Sequence, residues 1–236
     1  MKLFCIPCAG GGASMYKAMR HHIAAGVEVV PIEMSGRGSR FHEPLYDSLT
    51  QAAADAYETV KRSVGDDDYC VLGHSMGGLI AFELCAMIEG MRCKKPKMAF
   101  FLGTAPPDVK SRESRHLLSD DLFKADIVKM GGIAREFIEN DDLFNFYLPV
   151  LRSDFRICET YNFSRETVRL DYDIIVLNGV DDDIDKKSVL GWSAYSAKNC
   201  YVHYVDGNHF FVTNRVEETC DVINKYLMKS LWLGLI

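Results

Sequence analysis

The sequence has no apolar stretch approaching the ~20 residues that a membrane-spanning helix requires, so no membrane association is expected. An excess of positive charge is also missing: 27 basic residues stand against 33 acidic ones, for a net charge of −6. Phosphate backbones favour a basic face, and no basic cluster overrides the acidic balance, so nucleic acid is not expected as a partner. The N-terminal stretch "MKLFCIPCAGGG" has one lysine and a short apolar run before Pro7 and the glycines. That run is too short for the apolar region of a secretory signal. Internal repeats and low-complexity tracts are absent as well.

The cysteines lack a framework. Cys5, Cys8, Cys70, Cys85, Cys93, Cys158, Cys200 and Cys220 are scattered, several of them inside apolar strand or helix patterns. Without a secretory signal they read as reduced thiols of a cytoplasmic protein. Cys5 and Cys8 do form a C-x-x-C, but a redox motif opens a helix after a strand. Here Pro7 lies inside the motif and glycines follow it, so redox chemistry is not expected.

What the sequence does contain is enough material for a core. Its 236 residues are 48 % hydrophobic, which fits a single α/β domain over residues 1–236. Apolar strand-like runs fall at 3–6, 27–32, 69–72, 98–102, 174–177 and 201–205. Helix-length segments such as 49–64, 77–88 and 216–231 lie between or after them. This alternation predicts a mainly parallel sheet covered by helices on both faces. From about 106 to 163 the alternation stops. Phe144, Tyr147, Leu148, Leu151 and Phe155 recur there at helical spacing, with Pro149 expected as a kink or a helix start. A helical excursion between two core strands reads as an inserted lid, which would shape a substrate channel and exclude water. The plain alternative is a set of helices packed on the core.

One stretch carries chemistry. In "VLGHSMGGLIAFEL", residues 71–84, Gly73, Ser75 and Gly77 match G-x-S-x-G between a strand and a helix. A sharp strand-to-helix turn strains the serine backbone, and small neighbours let the chain pass close by. The hydroxyl then stands above the sheet, with the free N–H groups of the helix start facing developing negative charge. A serine is a poor nucleophile until a base takes its proton and a third group orients that base. In this arrangement the partners follow in the order acid, then histidine, each on a loop after a strand. His209 follows the last strand run, whereas His21, His22, His42, His74, His116 and His203 do not occupy such a position. His74, inside the turn itself, is expected to pack or hydrogen-bond locally. The acid is one of Asp181, Asp182, Asp183 and Asp185, which crowd after the run at 174–177. Three of these mimic the opening of a calcium loop. Lys186 and Trp192 stand where that loop needs glycine and glutamate, so no metal is expected.

Taken together, "FCIPCAGGGASMY", "MSGRGSRFHEP", "GHSMGGLIAFEL", "LPVLRSDFRICETY" and "GNHFF" span most of the chain and resemble the type II thioesterases. These are the stand-alone editing hydrolases of nonribosomal peptide and polyketide synthases, with the α/β-hydrolase fold. The resemblance implies Ser75 as nucleophile and His209 as base. It favours Asp182 as the acid, the third residue after the Asn178-Gly179 turn, with Asp181 and Asp183 as alternatives. The backbone N–H groups of Ala9 and Met76 would form the oxyanion hole. The sequence departs from the family at Cys8, where an aromatic is usual, and at Asn178 and Asp183, which replace glycine and proline of the acid loop. The first departure bears on the channel near the thioester, the second on the choice of acid. The implied substrate is an acyl group on the phosphopantetheine arm of a carrier domain, hydrolysed without a cofactor by a monomer. Arg37, Arg40, Lys110, Arg112 and Arg115 are candidates for carrier docking and read equally well as ordinary surface charges. The other readings are a general acyl-CoA or small-ester hydrolase and a non-catalytic binding protein of the same fold.

Overall fold

The computed structural model describes residues 1–91, 93–110, 114–132, 137, 139–164 and 168–233. The elements relevant to function are β1 (Lys2–Ile6), β2 (Glu28–Pro31), α1 (Leu49–Val64), β3 (Tyr69–His74), α2 (Met76–Glu89), β4 (Met98–Leu102), α3 (Asp120–Met130), α4 (Asp141–Glu159), β5 (Asp173–Gly179), α5 (Lys186–Leu190), β6 (Cys200–Val205), α6 (Phe211–Asn214) and α7 (Val216–Leu233). The six strands pair in the order β2-β1-β3-β4-β5-β6, every pair parallel.

Side chains alternate across a strand, and here both faces are covered. Phe4, Ile6, Val71, Phe101, Ile174 and Val176 face one core with residues of α1 and α2. Leu3, Cys5, Leu72, Phe100, Ile175 and Leu177 face the other, against Phe211 of α6 and Cys220, Ile223 and Leu227 of α7. Double burial is why the strands read as unbroken apolar runs, and each of the six expected runs overlaps one strand.

Helix α1 begins at Ser48, whose side chain accepts from Gln51 N, and stops at Gly65 with φ 56. Its buried stripe of Leu49, Ala52, Ala53, Ala56 and Val60 has helical spacing.

Between β4 and β5 the described residues hold a short 3₁₀ turn (Arg115–Leu117), α3 and α4, and no named strand. Phe123, Ile127, Phe144, Leu148 and Leu151 of these helices form a third, smaller apolar cluster. Pro149 lies inside α4 rather than at its start. Among the described residues, no helix is long and apolar enough to cross a membrane.

Strand order reverses at β1, because β2 lies on one side of it and β3 on the other. Loops leaving the carboxyl ends of β1 and β3 therefore diverge and open a crevice, the usual ligand position in open parallel sheets.

Candidate active site

Ser75 sits at that crevice, between the last residue of β3 and the first of α2. Its φ of 56 and ψ of −117 make it the one non-glycine residue at positive φ among the described residues. Such a backbone costs on the order of 1–3 kcal/mol and persists only where the surroundings enforce it. Ser75 N donates to Leu102 O of β4 at 2.8 Å, and Gly78 N donates back to Ser75 O at 2.8 Å. The neighbouring glycines are required by space. A Cβ on Gly73 would lie 1.9 Å from Gly77 O, one on Gly77 2.2 Å from Ile6 O, and one on Gly78 2.4 Å from Thr104 Cγ2.

The second half of the site comes from the loops after β5 and β6, which pair as far as Gly179 opposite Val205. Gly179 lets them touch, since a Cβ there would be 2.5 Å from both Gly207 O and Asn208 O. Asp181 N donates to Gly207 O at 3.0 Å and ties the loops together. Across this junction His209 Nδ1 donates to Asp182 Oδ2 at 2.8 Å. A carboxylate only accepts, so the proton sits on Nδ1 and leaves Nε2 as the basic nitrogen. The Asp182 side chain is 4 % exposed and that of His209 23 %. Asp181 and Asp183 are exposed to solvent. Asp185 caps α5, accepting from Lys187 N and Ser188 N, and these bonds hold its carboxyl below the usual range. The four crowded acids thus separate into one imidazole partner, one helix cap and two solvent-facing groups.

His74 is packed as expected, fully buried, but its hydrogen bond is not local. Its Nε2 donates to the backbone oxygen of His209 at 2.9 Å, 135 positions away. Burial, reinforced by the neighbouring His209, lowers its pKa to about 3, so the ring is neutral at working pH. Sequence reasoning missed this partnership because only the finished sheet brings the two loops together.

Ala9 follows β1, and Met76 opens α2, where the first N–H groups have no intrahelical acceptor. Ala9, Met76, Ser75 and His209 line one cavity of about 210 Å³, with Met130 of α3 and Phe155 of α4 also on its wall. A neighbouring cavity of about 140 Å³ shares Cys8, Ala9, Met130, Phe155 and Phe210. Cys8 therefore lines both spaces and shares the larger one with Ser75. Its thiol is pushed up to about 12, mainly by burial, with the Asp154 charge adding to the effect, so it stays protonated and unreactive. All eight cysteines are free.

The basic candidates need one correction. Arg37 is 1 % exposed and paired with Asp154, so it cannot belong to a docking surface. Arg40 pairs with Asp55 at 2.5 Å and with Glu43, and Arg115 pairs with Asp126. Lys110 is exposed, and Arg112 lies outside the described residues.

A family model described as Thioesterase domain matches residues 1–227. The chain belongs to the thioesterase domain family. This thioesterase is 27 % identical over 232 residues to the thioesterase PikA5 of Streptomyces venezuelae, an alignment covering 97 % of this chain and 81 % of that protein. Among solved structures it is similar to ClbQ from the colibactin NRPS/PKS pathway, at 31 % identity and a TM-score of 0.92, covering 99 % and 98 % of the two chains. It is also similar to YbtT, a type II thioesterase from the yersiniabactin NRPS/PKS pathway, at 27 % identity and a TM-score of 0.86, covering 95 % and 91 %. The parallel sheet flanked by helices is the α/β-hydrolase fold of these thioesterases, and the chain is a thioester hydrolase.

Proposed function

We propose that this thioesterase hydrolyses acyl groups from the phosphopantetheine arm of carrier domains, clearing and regenerating a nonribosomal peptide or polyketide synthase. One observation carries the chemistry: Ser75, His209, Ala9 and Met76 line a single cavity, with Asp182 bonded behind the imidazole. Ser75 Oγ attacks the thioester carbonyl carbon while His209 Nε2 takes the hydroxyl proton, and Asp182 holds the ring in the correct tautomer. Charge building on the carbonyl oxygen meets the Ala9 and Met76 N–H groups. The C–S bond then breaks, and the proton on His209 passes to the departing sulfur. Water, deprotonated by His209, attacks the acyl ester. Ser75 leaves with the proton returned, and the carboxylic acid is released. The cycle draws on side chains, backbone and water alone.

Support for a carrier-bound substrate comes from the likeness to ClbQ and YbtT, both described from NRPS/PKS pathways. In this reading residues 106–163 are a lid on a single domain, with α3 and α4 over Ser75, and the enzyme works as a cytoplasmic monomer. Contact with the carrier body supplies binding energy remote from the reacting bond, which can raise turnover as well as affinity. The test is kcat/KM for the same acetyl or propionyl group on a carrier domain and on coenzyme A, at equal salt. The carrier-bound form is expected to be the better substrate. Equal or faster hydrolysis of the coenzyme A ester overturns the carrier-directed role in favour of a general acyl-thioester or small-ester hydrolase.

A further inference from the structure

Arg37 and Asp154 form an ion pair that the catalytic cycle above does not use, each side chain only 2 % exposed. The contact is two-pronged, Nη1 to Oδ2 at 2.7 Å and Nη2 to Oδ1 at 2.8 Å. Desolvating two charges is costly enough that apolar residues often replace such a pair without loss of stability. Stability is therefore a weak account of why it is there.

Its other bonds point elsewhere. Asp154 Oδ2 also accepts from Gly10 N at 2.8 Å, and Arg37 Nη1 donates to Gly11 O at 3.0 Å. Tyr147 Oη donates to Gly10 O at 3.1 Å, and Gly11 N closes the turn onto Cys8 O at 2.9 Å. The peptide groups on both sides of Gly10 are thus held by side chains. Gly10 itself has φ +69, and a Cβ there would lie 2.4 Å from Leu151 Cδ2, so the turn packs directly on α4. Asp154 sits on a fixed stretch of that helix, because Ser153 Oγ and Arg156 Nη2 donate to Tyr46 O at 3.2 and 2.9 Å.

Gly10 follows Ala9, and a peptide group is a rigid plane. Fixing the Gly10 N–H on a carboxylate fixes the plane on the far side of Ala9. The bond from Gly11 N to Cys8 O fixes the Cys8–Ala9 plane that carries the Ala9 N–H, and the two together set its direction. A glycine-rich turn without these bonds has many alternatives, whereas an oxyanion donor works only if aimed in advance. We infer that Arg37, Asp154 and Tyr147 are positioning residues that aim the Ala9 N–H at the developing oxyanion through the Gly10 peptide. The inference rests on the proposed roles of Ser75 and Ala9. It also gives the stretches "MSGRGSRFHEP" and "LPVLRSDFRICETY" a task in the reaction.

The decisive variant is Arg37→Met/Asp154→Leu, which removes the anchor without leaving a buried charge unpaired. In the folded double variant, kcat for an acetyl thioester is expected to fall ~10- to 100-fold, the scale of a misplaced reacting group. KM should stay within about twofold, since the lost interaction belongs to the transition state. A trifluoromethyl ketone analogue, which forms an oxyanion on Ser75, should lose affinity by a factor similar to the loss in kcat. A thioether analogue without a carbonyl should bind as it does to the unaltered enzyme. Tyr147→Phe deletes one hydroxyl and is expected to shift kcat and the ketone affinity together by ~2- to 10-fold, the worth of one hydrogen bond. A folded double variant with unchanged kcat and ketone affinity overturns the inference. If the double variant does not fold, an unaltered Tyr147→Phe overturns it instead. Failure of the underlying reading looks different: Ser75→Ala would keep its turnover, or the ketone would not inhibit the unaltered enzyme.

Discussion

Asp182 is distinguished from its acidic neighbours by where the chain turns. The turn at Gly179 carries it under the imidazole of His209, leaves Asp181 and Asp183 in solvent, and gives Asp185 to the start of α5. Asp182→Asn is therefore expected to lower kcat by on the order of 10³- to 10⁴-fold, because an amide can pair with the wrong imidazole tautomer. Asp181→Asn and Asp183→Asn should stay near the unaltered rate. Parallel steady-state kinetics check this, and an equal loss in all three would refute the choice of Asp182. Ser75 and His209 were legible as strand-end residues in the right order. Arg37 was not, because an arginine between glycines reads as a surface charge until Asp154, 117 positions later, is packed against it.

At the scale of elements, strands were easier to read than the insert. Val71 and Leu72 face opposite cores, so β3 is buried at every step, and the same holds along β4. Helix α4 was harder. Pro149 predicts a kink or a start, and the helix runs on through it, because Phe144, Leu148 and Leu151 bury a continuous face. The burial outweighs the missing N–H bond. The contact between the β3 turn and the β6 loop was invisible in sequence, and the burial of His74 there makes stability depend on pH. His74 is held at about 3 when folded, against an ordinary value of 6.5. Between those values the unfolded chain takes up a proton that the folded chain refuses. The stabilising contribution is complete above pH ~6.5 and is lost as pH falls towards 3, at up to about 1.4 kcal/mol per pH unit. His74→Gln can keep an N–H donor towards His209 O without titrating. In urea unfolding from pH 7 to pH 4, its stability should decline less steeply than that of the unaltered protein. Parallel declines would contradict this assignment.

The whole molecule places its chemistry where the sheet topology opens. The loop after β1 supplies Ala9, the turn after β3 supplies Ser75 and Met76, and the loops after β5 and β6 supply Asp182 and His209. Helices α3 and α4 bound the cavity between them through Met130 and Phe155. In the proposed mechanism, hydrolysis passes through an acyl group on Ser75. The most direct measurement is mass spectrometry of the enzyme, acid-quenched within its first turnovers of an acetyl thioester. The account predicts an acetyl adduct on the peptide containing Ser75, absent in Ser75→Ala together with turnover. An adduct on Cys8, or continued turnover by Ser75→Ala, would contradict it.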